Sequence, residues 1–191
     1  MELLVSMSIG LVVLAALAKT FTVQSRQNSA EEQISQMQQN ARAALDLMVR
    51  EIQMAKYNPA GSAFSSAYGV TYSSSQLEIK ADVDGNGSID TSSGSVEDII
   101  YAYDNANLRI TRKLGSSGTA EIVADNITVF TFSYYDAAGS AVTSSANSAN
   151  IRKVTVSITA RTGKPDPSYT SNGGYRTYLI SGDVTPPNMA L

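Results

Sequence analysis

Residues Leu3 to Ala18 read LLVSMSIGLVVLAALA, a run without a single charge, and apolar character resumes past Lys19 at Phe21 and Val23. A core helix of a soluble domain needs apolar residues on one face only. Crossing a bilayer takes about 20 predominantly apolar residues, and this stretch reaches that length if the Lys19 ammonium snorkels to the interface. A secretory signal would carry a basic segment ahead of the run and a small-residue cleavage site after it. Here the only preceding charge is Glu2, and no A-x-A-like site follows. Residues 1–23 are therefore read as a membrane-length helix.

Nothing in Gln24–Gln33 breaks a helix, so it is expected to continue through 24–59 as an amphipathic segment. Apolar residues at Ile34, Met37, Ala41, Ala44/Leu45, Met48, Ile52 and Ala55 recur in steps of three and four, which is one helical stripe. Arg42–Asp46 and Asp46–Arg50 fall at i,i+4 on the polar side, each worth only a few tenths of a kcal/mol. Asn58-Pro59 is the stop signal, because the residue before a proline is pushed out of the α region. A helix from Glu2 to Lys56 would be roughly 80 Å long.

From residue 60 to 191 the composition turns to Ser, Thr, Gly, Ala and Tyr, with short β-like runs between turn residues. Strands are expected at Gln76–Ala81, Asp98–Tyr103, Asn107–Lys113, Asn126–Tyr135, Ile151–Arg161 and Tyr175–Ser181. In the fifth, Val154, Val156, Ile158 and Ala160 alternate with Thr155, Ser157 and Thr159, the mark of a half-solvated strand. Asp104–Ala106 and Asp136–Gly139 look like hairpin turns and imply antiparallel neighbours. The expected fold class is α+β, a long N-terminal helix laid across an antiparallel sheet.

Composition narrows the chemistry. The chain has no Cys, His or Trp. That removes Ser-His-Asp and Cys-His nucleophiles, imidazole bases, the usual zinc sites and disulfides. An enzyme is disfavoured. A net charge of −3 and a pI near 4.9 speak against a nucleic-acid groove. Residues 1–56 are balanced, with acids Glu2, Glu31, Glu32, Asp46 and Glu51 against bases Lys19, Arg26, Arg42, Arg50 and Lys56. All net negative charge lies in the β region.

The segment Glu2-Leu3-Leu4-Val5-Ser6-Met7-Ser8-Ile9-Gly10-Leu11 resembles the mature N-terminus of type IV pilins and type II secretion pseudopilins. The run Gln36 to Met48 (QMQQNARAALDLM), with Arg50-Glu51-Ile52 beyond it, is similar to minor pilins of the PilW type. Thr185-Pro186-Pro187-Asn188 is weakly like the T-P-R-N ending of that group. In the family a short leader ending in Gly, then Phe, stands ahead of the glutamate, whereas here Met1 precedes Glu2. The resemblance implies that the upstream DNA encodes such a leader in frame. It also implies a pilin-like fold, a single pass through the bacterial inner membrane with the C-terminal domain in the periplasm, and later residence in an extracellular pilus.

Three features are candidate sites. A carboxylate beside an all-apolar helix is expensive to bury and calls for a partner. The resemblance supplies one for Glu2, the N-terminal ammonium of a neighbouring subunit; the alternative is that Glu2 lies at the aqueous end of the anchor. Gly10, with Ser6 and Ser8, either permits local unwinding of the helix or reflects the small residues common in membrane helices. Asp82-Val83-Asp84-Gly85-Asn86-Gly87-Ser88-Ile89-Asp90 places oxygen ligands and a glycine turn at the spacing of a tight calcium loop, with Asp82, Asp84, Asn86, Ser88 and Asp90 as ligands. Ile89 would anchor that loop to the core. Ser93 stands where a bidentate Glu is expected, so Glu97 or Asp98 would have to substitute. A hairpin tip that binds nothing has the same composition.

These readings converge on a minor pilin that joins other pilins through N-terminal helices, near a pilus tip, with calcium as its one candidate cofactor. The alternatives are a type II secretion pseudopilin or a membrane-anchored, calcium-dependent adhesin.

Overall fold

The computed structural model describes residues 2–61 and 69–189; the expectation attached to Met1 lies outside the described residues. Among the described residues, one α-helix, α1 (Glu2–Gln53), precedes eight strands. It ends three residues before Lys56. The last turn tightens as the Met54, Ala55 and Tyr57 amides donate to the carbonyls three residues back, and Lys56 adopts a left-handed conformation at φ 62°. Its amide then donates to the Lys80 carbonyl at 2.9 Å, joining the chain to the sheet. Asn58-Pro59 lies past this stop and prevents a restart.

The expected single sheet is two. The first is a five-stranded antiparallel meander, β1 (Gly69–Thr71), β2 (Gln76–Lys80), β3 (Asp98–Asp104), β4 (Arg109–Leu114) and β5 (Ala120–Asp125). The second is a three-stranded meander, β6 (Ile127–Tyr135), β7 (Lys153–Arg161) and β8 (Thr177–Val184). The turn after β3 is longer than expected: the Asp104 carboxylate accepts from the Asn107 amide at 3.1 Å, and Leu108 turns at φ 53° before β4 begins. Asp136–Gly139 also makes a turn, yet its return leg is a single bridge, Tyr135 to Ala141. The partner of β6 is β7, across the Ser/Asn-rich connection. Two tyrosines lock the sheets together: the Tyr103 hydroxyl donates to the Ile127 carbonyl at 2.8 Å and the Tyr134 hydroxyl to the Ser73 carbonyl at 3.2 Å.

The C-terminal half of α1 covers these sheets. Met37, Ala41, Ala44, Leu45, Met48, Ile52 and Ala55 are buried, which is the stripe the spacing gives. Opposite them stand the alternating residues of β7, Val154, Val156, Ile158 and Ala160, none more than 1% exposed. Helix and sheet meet closely at Gly182 of β8, where an added Cβ would stand 3.3 Å from Leu45 Cδ1. The tail returns to this end of the helix. The Asn188 amide side chain donates to the Ala55 carbonyl at 3.5 Å, and Met189 is buried.

The N-terminal half of α1 packs on nothing: every residue from 2 to 29 is exposed, including Leu3, Ile9, Leu14 and Phe21. The helix is long and apolar enough to cross a membrane, and its most apolar window is wholly unburied.

Candidate functional site

The uncovered apolar helix is the first site. Glu2 opens it with an exposed side chain, where the positive end of the helix dipole favours a carboxylate. The Ser6 hydroxyl donates to the Glu2 carbonyl at 2.8 Å and that of Ser8 to the Leu4 carbonyl at 2.7 Å. Both hydroxyls are thus satisfied within their own helix, and neither presents an unmet polar group to lipid or to a second helix. Gly10 has open space around the position of a Cβ and sits inside an unbroken helical span.

The second site lies at the far end of the domain, where β2 leaves the sheet. The Asp82 amide donates to the Tyr57 carbonyl at 2.9 Å, which ties the loop to the end of α1. Asp82, 1% exposed, takes the Gly85 and Gly87 amides at 2.8 and 2.9 Å, one on each carboxylate oxygen. Asp84 takes the Asn86 amide at 3.0 Å, and Asn86 takes that of Ser88 at 2.8 Å. Of the two candidates for the missing ligand, the fold brings in Glu97. Its Oε1 accepts from Val83 and Asp84 and its Oε2 from Asp90. Asp82, Asp84 and Glu97 each hold an oxygen within 4.8 Å of the others.

Each oxygen of Asp82 and Asp84 accepts one amide hydrogen, as does Glu97 Oε2, so each keeps a lone pair for a hard cation. The donor set therefore fits calcium chemistry. Asp90 faces elsewhere: its carboxylate accepts from the Ser92 amide and hydroxyl at 2.9 Å, and these bonds hold it below the usual carboxylate range. Ile89 is only half-buried and lies outside the core cluster, so the anchor of this loop is the buried Asp82 instead.

Asp98, the other candidate, points away into a closed site beneath the Gly115–Gly118 turn. Its side chain is wholly buried, and neither carboxylate oxygen has a hydrogen bond of good geometry among the described residues. Burial, then the nearby Glu78 carboxylate, pushes its pKa up, against the pull of Lys80, the Ser116 backbone amide and Lys113.

A third cluster escaped the sequence reading. Glu51, on α1, is 6% exposed. It accepts from the Tyr101 hydroxyl of β3 and from the Arg112 guanidinium of β4, whose Nε lies 3.2 Å from Oε2. A signal was present, because Glu51 falls on the apolar stripe, three residues past Met48 and four before Ala55. An acid at such a position needs a cation beneath it. Of the other described tyrosines, Tyr134 is buried, and Tyr175 and Tyr135 lie under Arg161 and Lys153.

A helix uncovered over its first half and laid by its second half on antiparallel sheets is a pilin-like fold. The family profile for prepilin peptidase-dependent protein B matches residues 30–177, and the chain belongs to that family. Among solved structures, a type IV-like pilin from Thermus thermophilus is similar over 79% of this chain and 95% of its own, at 14% identity and a TM-score of 0.48. Among curated proteins, none matches the chain.

Proposed function

We propose that this chain is a minor pilin of the PilW type. It is held in the inner membrane by the helix over residues 2–23, with its sheets in the periplasm, and enters a type IV pilus near the tip. The observation that carries this reading is the membrane-length apolar helix that its own domain leaves uncovered. The family's description, dependence on prepilin peptidase, supports reading Glu2–Leu11 as a mature N-terminal region. Assembly then exchanges lipid for neighbouring helices. Lipid is as apolar as leucine, so the gain comes from close packing. Gly10 and the internally bonded Ser6 and Ser8 permit that approach, and Glu2 offsets the N-terminal ammonium of a neighbour.

The test is Glu2→Ala in the native host. Piliation should fall sharply while the chain still accumulates in the membrane. Normal piliation with lost protein export would reassign the chain as a type II secretion pseudopilin.

One observation favours an added role for calcium at Asp82–Asp90: Glu97 reaches back to the loop, beside Asp82 and Asp84, and supplies the acid that the linear motif lacked at Ser93. Bound there, the ion would order the distal end of the domain. If loss of the site abolished calcium-dependent surface binding and left piliation normal, the membrane-anchored adhesin reading would replace the pilin one.

A further inference from the structure

Where α1 leaves its apolar run, a cleft of about 650 Å³ opens between the helix and the Asp166–Ser168 loop. Its floor is Val23, Gln27, Ala30 and Ile34, at steps of four, three and four, a single stripe of the helix. Arg26 and Glu31 each lie one residue off that stripe, on opposite sides, and both line the cleft. The far wall is electrically closed. Asp166 accepts from Arg176 at 3.0 Å and from the Ser168 amide at 2.9 Å, and Arg176 lies over the Tyr169 ring. Arg26 and Glu31, by contrast, have no ion pair among the described residues.

The position of the cleft selects its occupant. At about 1.5 Å of rise per residue, Arg26 lies about 5 Å and Glu31 about 12 Å beyond Val23. The headgroup layer of one leaflet is roughly 5–8 Å deep, and helical side chains lean toward the N-terminus, which brings the Glu31 carboxylate back to the outer edge of that layer. The order along the helix is thus apolar, then cation, then anion. A zwitterionic phospholipid presents the complement in the same order: acyl chain, phosphate, ammonium. Ethanolamine carries N–H donors that a glutamate can accept, choline carries none, and a glycerol headgroup has no cation.

We infer that this cleft seats the headgroup of an ethanolamine phospholipid, with Arg26 on its phosphate and Glu31 on its ammonium. The inference rests on the membrane-anchor reading above. It gives the domain a fixed seat on the bilayer before assembly.

The chain has no cysteine, so Ala30→Cys in the full-length protein places one thiol on the cleft floor. Ser74→Cys, exposed and far along the chain, serves as reference. Both are reconstituted in vesicles of phosphatidylcholine, alone or with a minor fraction of phosphatidylethanolamine or phosphatidylglycerol. A water-soluble maleimide should label Cys at position 30 severalfold more slowly, relative to the reference, only with ethanolamine lipid. Glu31→Gln should erase the difference, and Glu31→Asp should keep part of it. Equal labelling in all vesicles overturns the inference, as does equal protection by phosphatidylglycerol. Protection that follows protein density rather than headgroup puts a second chain's helix in the cleft and overturns it too. A chain that fails to co-float with any vesicle removes the anchor and this inference together; co-flotation with uniform labelling removes this inference alone.

Discussion

Glu51→Ala should be a severe change although Glu51 lies outside the apolar core. It leaves two groups behind. The Tyr101 hydroxyl, wholly buried, loses its acceptor, and an orphaned buried donor costs about 1–3 kcal/mol. Arg112 loses its counter-charge. Its side chain keeps 17% of its exposure and hence part of its hydration, so its share falls below the ~3–5 kcal/mol seen when a fully buried pair is broken. Together the loss is about 3 kcal/mol, or about 6–12 °C in Tm for a chain of this size.

The measurement is chemical and thermal denaturation of the full-length chain in detergent micelles. Glu51→Leu combined with Arg112→Met and Tyr101→Phe removes every member of the cluster and should lie within about 1 kcal/mol of the parent, because no charge or donor is stranded. A triple variant as unstable as Glu51→Ala would refute the account, as would a loss below about 1 kcal/mol for Glu51→Ala. The cluster also has an alkaline signature. Burial, and then Glu51, raises the Tyr101 pKa above its usual value near 10. A raised folded value means the contribution is intact below pH 10 and is lost as pH rises through the folded pKa. Tyr101→Phe should flatten the alkaline decline.

Two further outcomes are expected. Calcium at a hundredfold excess over its dissociation constant should stabilise the chain by about 2.7 kcal/mol, read as a melting shift reversed by chelator; Asp84→Ala should abolish the shift and Asp90→Ala should retain most of it. Asp98 has a raised folded pKa, so its contribution is fully present below the ordinary carboxylate value near 4 and is lost as pH rises through the folded pKa. Asp98→Asn, which removes the buried charge, should therefore raise stability at neutral pH, with the gain vanishing near pH 3; denaturation at the two pH values checks it.

The helix was legible in the sequence because both of its halves carry strong periodic signals, unbroken apolarity and then the Met37–Ala55 stripe. Its end was less so. Pro59 marked the region, while the stop itself is a left-handed turn at Lys56, a conformation no residue type there announces. Of the strands, β7 read cleanly because one of its faces is buried throughout. Strand β5 did not: Ala120, Glu121 and Ile122 are all exposed at a sheet edge, so no alternation marks it. The split into two sheets falls at Asn126, a left-handed residue (φ 59°) between β5 and β6 that no linear alternation marks. At the loop, local spacing revealed Asp82 and Asp84. The choice of Glu97 over Asp98 depended on which way β3 turns its first residues, which only the fold decides.

The same helix serves two solvents, and the division between them can be tested by substitution. Leu11 is 60% exposed and Met48 is 0% exposed. Nothing in the chain itself gains from the burial of Leu11, so Leu11→Ala should change the stability of the domain by no more than about 0.5 kcal/mol. Its effect belongs to whatever covers the helix later, and should appear as lost incorporation into filaments. Met48 is covered by the domain already, and Met48→Ala should cost about 2–5 kcal/mol through the lost contacts and the cavity left behind. That loss should lower the amount of folded protein, with incorporation per folded molecule unchanged. Denaturation midpoints and the ratio of filament-bound to membrane-bound chain separate the two. If Leu11→Ala destabilised the domain by more than about 1 kcal/mol, the first half of α1 would have an intramolecular partner, and the proposal that it awaits a partner from outside would fail.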